Sequence, residues 1–597
     1  MRKLFIVFFI FSFFNLYAQN VPWSLHNNYD LKNSETFVLS EFDKYKLLEQ
    51  DHYDLFRKSF SFAKAFDVDV FLDNSFSIND TENVVIKKII ATEADGLSFV
   101  FETNNDFLKG EFFIFDSNYN YIINHKFDST QKVYSTPFLP DDTVYVEYHF
   151  YDSFDVKISK IGAAYRDLKD GSDWCEVNIN CDSNQLWQTL KHSIVKIIFE
   201  GDNNVYYACT GNLVANTKLN SNPYVLTANH CISTQTEAQN AVFYFNYEAL
   251  SCDSTEGHET QFISGSDLIA TANDHLDFSL LQLSVVPPKV YKPYYMGWSL
   301  THEYSDTTVC IHHPAGDIKK ISYNYLPLGI GSFEGYDGNK HWWVQKWGQG
   351  TTEGGSSGAG LLTKEGLLIG VLSGGDASCD NNVDDFFQQF YHCWDDYNTF
   401  SKQLRHWLNP YGFSIDKMEG YDPYLNDYLN VPTGLTVELY DSLAVINWNA
   451  ALGNPDKYIL YRNLKKVQEF TFPQTYSEVL TKDDVYAYYV TAVWGNSESK
   501  PSNIETVVFG DTSRIPKVTS IKVFPNPTTG NVNIYTPDSN AIQRIDIIDI
   551  SGRVIQTKKF QVETKVNFHL DGLKPSCYIL RLTTIGQVYY KKIVFVD

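Results

Sequence analysis

A mainly β, multidomain chain is what the sequence predicts, and three observations carry that expectation. The first is length: 597 residues is several times a domain of roughly 100 to 200 residues, so at least three folded units are needed. The second is a period of two. Leu97-Ser98-Phe99-Val100-Phe101 and Thr143-Val144-Tyr145-Val146-Glu147-Tyr148 alternate as strands do, with Asn and Asp between the runs. The third is composition: 43% hydrophobic and 20% charged residues, with 42 Phe and 40 Tyr, supply apolar surface for packed cores and argue against disorder.

Taken in order, Met1-Arg2-Lys3, the apolar run Leu4 to Phe14 and Leu16-Tyr17-Ala18 before Gln19 read as a secretory signal peptide over 1–18. The run falls short of the ~20 residues that span a bilayer, and no later segment is apolar for long enough to cross one. Export permits disulfides among the nine cysteines. The formal charge of −24, from 48 basic and 72 acidic residues, repels polyanions and disfavours nucleic acid as a partner.

Residues 19–169 predict an antiparallel β-sandwich. Residues 170–410 combine short strands, Gly-rich loops and eight of the nine cysteines. They close on a helix over Asn398 to Leu408, where Phe400, Leu404, Trp407 and Leu408 share one face ahead of Pro410. Residues 411–430 form a Tyr/Asp/Asn-rich linker without periodicity. Strand-rich units follow at 431–511 and 512–597.

The chemistry lies in 170–410. Catalysis by a hydroxyl needs a base beside it, a carboxylate to fix the base's tautomer, and donors for the developing oxyanion. Leu226-Thr227-Ala228-Asn229-His230-Cys231 ends a strand on a His. Asp277 opens the alternating run Phe278 to Leu283, and Gly354-Gly355-Ser356-Ser357-Gly358-Ala359-Gly360 surrounds a Ser with glycines. The order His, Asp, Ser is that of chymotrypsin-class enzymes. No Cys-x-x-Cys or His-Glu-x-x-His spacing occurs, so neither a metal site nor another cofactor is expected. The adjacent His312 and His313 point to opposite faces of a strand and read as packing residues.

This region resembles the lysyl endopeptidases, secreted bacterial members of the chymotrypsin-like class. The resemblance rests on Cys209-Thr210-Gly211-Asn212-Leu213-Val214, the His230 and Asp277 segments, Cys310-Ile311-His312-His313-Pro314, Lys319-Lys320-Ile321-Ser322, Thr352 to Gly358, and Leu368 to Gly375. It implies a double β-barrel, with His230 as general base, Asp277 as its orienter, Ser357 as nucleophile, and the N–H groups of Gly355 and Ser357 as oxyanion hole. Counting back from Trp394, it places at Asp385 the carboxylate that pairs with a substrate ammonium, with Asp384 the neighbouring candidate. Ser373 and Gly374 would line the same pocket. Cleavage after basic residues follows, Lys favoured and Arg possible.

Two departures from the family stand out. Ser373 occupies the place of a pocket imidazole, where it could instead hydrogen-bond Asp277, and Phe333 is the nearest aromatic to the place of that imidazole's Trp partner. The resemblance further implies disulfides Cys175–Cys379, Cys181–Cys252 and Cys209–Cys231. Cys310 and Cys393 are left as a hypothetical fourth pair, and Cys577 is odd. Residues 19–169 resemble the family's propeptide, removed just before Cys175. Trypsin itself switches on through an Asp before the nucleophile, but Ser356 stands there, so self-cleavage after Lys169, with Arg166 the alternative, is the expected route.

Residues 431–511 resemble a fibronectin type III module through Pro432, Ile446-Asn447-Trp448, Tyr458 to Arg462 and Tyr486 to Val493, with Tyr486, Tyr488, Val490 and Ala492 turned to one face. Spacer or binding module is the expectation. Residues 512–597 resemble the sorting domain of the type IX secretion system through Val523 to Gly530, Ile548 to Val554, Tyr578 to Leu582 and Lys591 to Phe595. The whole is expected to be a monomer, secreted or attached to the cell surface through the type IX machinery, acting on protein or peptide substrates. The competing expectation is an adhesion or binding protein with an inactive protease-like domain.

Overall fold

The computed structural model describes residues 21–50, 60–73, 76–77, 83–103, 110–120, 122–126, 133–150, 156–167, 171–255, 257, 259–272, 275–333, 335–397, 399–473, 475–510, 522–524, 531–535, 542–549, 553–563, 565–570, 572–584 and 588–595. The signal peptide, Lys169, and the Pro525 to Gly530 part of the sorting motif lie outside them. Strands take 49% and helices 11% of the residues, so the class is mainly β, as expected. The chain divides into two compact units, one of 1–52, 62–167 and 202–206, the other of 53–61, 168–201 and 207–597.

The first unit stacks two sheets. One orders Glu35–Val38, Asn83–Ile90, Thr143–Phe150, Gly110–Asp116 and Ile122–Lys126; the other orders Phe60–Phe71, Val156–Ala164, Gly96–Thr103 and Val133–Ser135. Their inner faces meet in one core, where Ile89, Phe112, Val146 and Tyr148 pack with Phe99, Phe101, Ile158 and Ile161. This is the period-two pattern closing on itself. One detail departs from an all-antiparallel sandwich: Glu35–Val38 runs parallel to Asn83–Ile90.

In the second unit, β1 (Ile194–Glu200), β2 (Val205–Val214), β3 (Tyr224–Thr227), β4 (Val242–Phe245), β5 (Phe262–Ser264), β6 (Ser266–Ala272) and β7 (Phe278–Leu283) pair in the order β5-β4-β1-β2-β3-β7-β6. A second sheet holds β8 (Thr308–His312), β9 (Lys320–Asn324), β10 (Gly329–Gly331), β11 (His341–Lys346), β12 (Gly360–Thr363), β13 (Leu368–Gly375) and β14 (Val383–Gln389), in the order β9-β8-β12-β13-β14-β11-β10. One buried cluster joins Leu213, Leu226 and Leu280 of the first sheet to Ile311, Leu362 and Val371 of the second. Trp298, Trp342 and Trp347 are fully buried. Each indole N–H is satisfied, on the carbonyls of Ala215 and Ile369 and on Asp385 Oδ2, as burial of that group requires.

The segment expected to be a closing helix is only partly one. A 3₁₀ turn at Phe400–Lys402 is followed by extended Gln403 and a short helix at Arg405–Leu408. The Leu404 N–H leaves the helical ladder to donate to Cys393 O at 2.9 Å, although Leu404, Trp407 and Leu408 are buried as the pattern requires. The 411–430 stretch is docked on the strands before it. Lys417–Met418 pairs antiparallel with Trp298–Ser299, and Tyr421 stacks on Tyr295 at 5.2 Å and 8°.

Two further cores follow. The sandwich of residues 431–510 buries Trp448, Leu460, Tyr488 and Val490, while the opposite face of its strand Asp484–Trp494 packs Val485 and Ala487 against Phe413. The last sandwich buries Val532, Ile534, Ile545, Ile547, Leu580 and Leu582. Among the described residues no helix is long and apolar enough to cross a membrane.

The second unit also buries a cation. Lys319 Nζ donates to Lys191 O at 2.7 Å and lies 3.6 Å from Glu248 Oε2. Burial pushes its pKa down to about 8. The folded value then lies below the unfolded one, so from about pH 8 to about pH 10 the unfolded chain binds more protons and stability rises with pH. We expect Lys319→Met to remove a rise on the order of 2–3 kcal/mol over that window, read from urea unfolding at both ends relative to wild type.

Candidate active site

Three side chains far apart in sequence meet where the two sheets face each other. His230 follows β3, Asp277 precedes the adjacent strand β7, and Ser357 sits in the loop before β12. His230 Nδ1 lies 2.9 Å from Asp277 Oδ2, and His230 Nε2 lies 2.7 Å from Ser357 Oγ. Asp277 Oδ1 also accepts the His230 backbone N–H at 3.0 Å, so one carboxylate fixes both the position and the tautomer of the ring. That puts the proton on Nδ1 and leaves Nε2 free to accept the hydroxyl proton.

Asp277 and Ser357 are wholly buried. Burial alone would raise the Asp277 carboxyl, but the His230 charge and hydrogen bonds from His230 and Ser373 outweigh it and hold the carboxyl below its usual range. Ser373 Oγ lies 3.3 Å from His341 Nε2. Gln388 Oε1 accepts the Asp277 N–H at 3.0 Å.

The Ser357 loop is shaped by its carbonyls. Ala315 N–H donates to Gly354 O at 2.5 Å and Ala359 N–H to Ser356 O at 2.9 Å. In a trans peptide the N–H points opposite to the C=O, so the N–H groups of Gly355 and Ser357 turn away from those donors. Gly355 has φ +95°, and a Cβ there would sit 2.6 Å from His313 O; only glycine fits.

Asp385, on β14, is wholly buried. Its Oδ2 accepts from Trp347 Nε1 at 2.7 Å and Thr352 Oγ1 at 2.6 Å, and β13 brings Gly375 opposite it. A Cβ at Gly375 would lie 2.5 Å from Asp385 Oδ1, so only glycine allows this close approach to the carboxylate. Gly374 pairs with Phe386 in the same ladder. Asp384 is not with them: it is half-buried and accepts from Trp343 Nε1 at 2.8 Å, as period two demands of a neighbour.

An imidazole does stand beside Ser373, but it comes from β11 as His341, which packs against Phe333 with ring centroids 6.0 Å apart. Burial lowers the His341 pKa to about 4, so at neutral pH the ring is uncharged. Its sequence surroundings carry no motif, and only its cross-strand pairing with Gln388 puts it here.

The disulfides Cys175–Cys379, Cys181–Cys252 and Cys209–Cys231 are formed. The hypothetical Cys310–Cys393 pair is not: both are free thiols buried in different clusters. Burial raises both thiol pKa values well above their usual value, which keeps them protonated and unreactive. The Cys577 side chain lies outside the described residues. One trio, Asp173, Glu353 and Cys379, comes close enough to suggest a metal, but the Cys379 sulfur is bonded to Cys175 and offers no thiolate.

An imidazole bridging a buried carboxylate and a hydroxyl is the arrangement of serine-nucleophile hydrolases. Comparison with known proteins points the same way. Residues 169–391 match the family model for the lysyl endopeptidase C-terminal domain, and residues 522–596 match that for a secretion system C-terminal sorting domain. A lysyl endopeptidase of Pseudomonas aeruginosa is 31% identical over 244 residues, covering 38% of this chain and 52% of that protein. The chain thus spans about half the length of the curated relative it matches. Protease Anisep from Arthrobacter nicotinovorans is 17% identical, covering 33% of this chain and 90% of its own, at TM-score 0.25. A Glu endopeptidase is 15% identical over 36% and 92%, at 0.24. The sorting-domain match marks the chain for export, either secreted or attached to the cell surface.

Proposed function

We propose that the chain is a secreted serine endopeptidase that cuts peptide bonds after basic residues, Lys favoured over Arg, through an acyl-enzyme. The observation that carries this reading is His230 held 2.9 Å from Asp277 and 2.7 Å from Ser357. Ser357 Oγ attacks the scissile carbonyl as His230 Nε2 takes its proton. Asp277 steadies the imidazolium, the N–H groups of Gly355 and Ser357 receive the oxyanion, and His230 returns the proton to the departing amine. Water then repeats the sequence against the acyl-enzyme. Asp385 receives the substrate ammonium, whose charge-assisted hydrogen bond a neutral side chain cannot replace.

With that activity go roles for the other parts: residues 19–169 as a propeptide removed at Lys169, 170–410 as catalytic domain, 411–430 as connector, 431–511 as spacer or binding module, and 512–597 as the address for type IX export of a monomer. A fluorophosphonate should label Ser357 in the matured protein, and mass spectrometry of a digested peptide library should show cuts after Lys and Arg. Absence of both labelling and cleavage would favour the adhesion protein instead.

A further inference from the structure

The residue before Ser357 is Ser356, which has no charge to pair. A buried chain of hydrogen bonds holds it. Ser356 Oγ lies 2.8 Å from His312 Nδ1 and accepts the Glu353 N–H at 3.1 Å. At the other side of the ring, His312 Nε2 lies 3.1 Å from Ser322 Oγ, whose hydroxyl donates to Thr351 O at 2.6 Å. Ser356, His312 and Ser322 are wholly buried, and Glu176 Oε2 stands 3.7 Å from His312 Nε2.

The proton directions follow from the two ends. Ser322 spends its proton on Thr351 O, so its oxygen accepts from His312 Nε2–H. His312 Nδ1 is then an acceptor and takes the Ser356 hydroxyl proton, while Ser356 Oγ accepts from Glu353. Glu176, beside the Nε2–H, favours the same tautomer. Every ring nitrogen and hydroxyl in the chain is thereby satisfied, which buried polar groups require.

The chain has a geometric consequence. Thr351, Glu353 and Ser356 all belong to the segment entering the nucleophile loop, whereas His312 and Ser322 lie on the paired strands β8 and β9. One imidazole thus fastens the loop to the sheet at both of its ends. Ser356 is the residue between Gly355 and Ser357, so whatever fixes its side chain fixes the two peptides whose N–H groups would meet an oxyanion.

We propose that His312 is the positioning residue of the oxyanion loop, holding Ser356 by hydrogen bonds where no charge pair exists to do so. This rests on the endopeptidase reading, and it assigns to His312 a role beyond packing. Loss of one oxyanion donor costs about 10²–10³ in kcat in such sites.

The test is kinetic and spectroscopic, on the matured full-length protein. His312→Phe keeps the ring and removes both hydrogen bonds, and Ser356→Ala removes a single hydroxyl from the same chain. Each should lower kcat on a lysyl ester by about 10²-fold with KM unchanged, and the double variant should be no slower than His312→Phe alone. A raised KM at wild-type kcat, or losses that multiply, would overturn the proposal. If His312→Phe does not fold, Ser356→Ala decides through the same split between kcat and KM. The His312 Nε2–H should also give a slowly exchanging proton resonance in ¹⁵N-histidine spectra that shifts in Ser356→Ala. A wild type that hydrolyses no lysyl ester refutes the endopeptidase reading and leaves that resonance to judge His312: an unshifted signal would refute the hydrogen-bonded chain by itself.

Discussion

Ser357→Ala should hydrolyse lysyl esters about 10⁶-fold more slowly than wild type while binding them as tightly, because the nucleophile, base and orienter act as a unit. The 2.7 Å approach of His230 Nε2 to Ser357 Oγ makes that hydroxyl the one the base is placed to activate. His230→Ala should therefore cost a similar amount, and the double variant should be no slower than either single one. Stopped-flow and steady-state assays on the three proteins would read this directly. A Ser357→Ala protein within about tenfold of wild type would end the serine mechanism. The same variant reports on maturation. Expressed alone, it should stay uncut at Lys169, and normal processing there would show that another protease does the cutting.

The second large effect is expected at Asp385. Asp385→Asn should lower kcat/KM for lysyl substrates by about 10⁴-fold, since a site built around a charge-assisted bond leaves the substrate ammonium buried and unpaired once the carboxylate is gone. The substitution is close to isosteric, and Trp347 and Thr352 still find an amide oxygen where they now find Oδ2, so the fold should be retained. The cleavage profile of a peptide library should shift from Lys and Arg toward neutral residues as the total rate falls. An unchanged basic preference would place the specificity carboxylate elsewhere.

The sequence makes the meeting of His230, Asp277 and Ser357 legible because each sits in a motif of its own: His230 beside the bridged Cys231, Asp277 at the mouth of an alternating strand, Ser357 among glycines. Asp385 was reachable by counting from Trp394. What escaped were groups brought in by register between strands. His341 comes from β11, two places from β13 in the sheet order, and Gln388 reaches back to Asp277 from β14. His312 was seen, but its two serine partners lie 10 and 44 residues away, so only packing could be assigned to it. The closing helix was overextended for a similar reason, since the tertiary bond from Leu404 to Cys393 overrides helical periodicity.

The docked stretch after Pro410 changes what counts as a separable piece. Met418 is part of the same buried cluster as Trp298 and Leu368, and Tyr421 exchanges backbone hydrogen bonds with Tyr295 in both directions. A gene fusion that joined a foreign module at Pro410 would strip a strand from the catalytic half and uncover Trp298. Evolutionary shuffling of the appended sandwiches would have to break the chain beyond Tyr421, so the heritable cassette is longer than the chemistry it encodes.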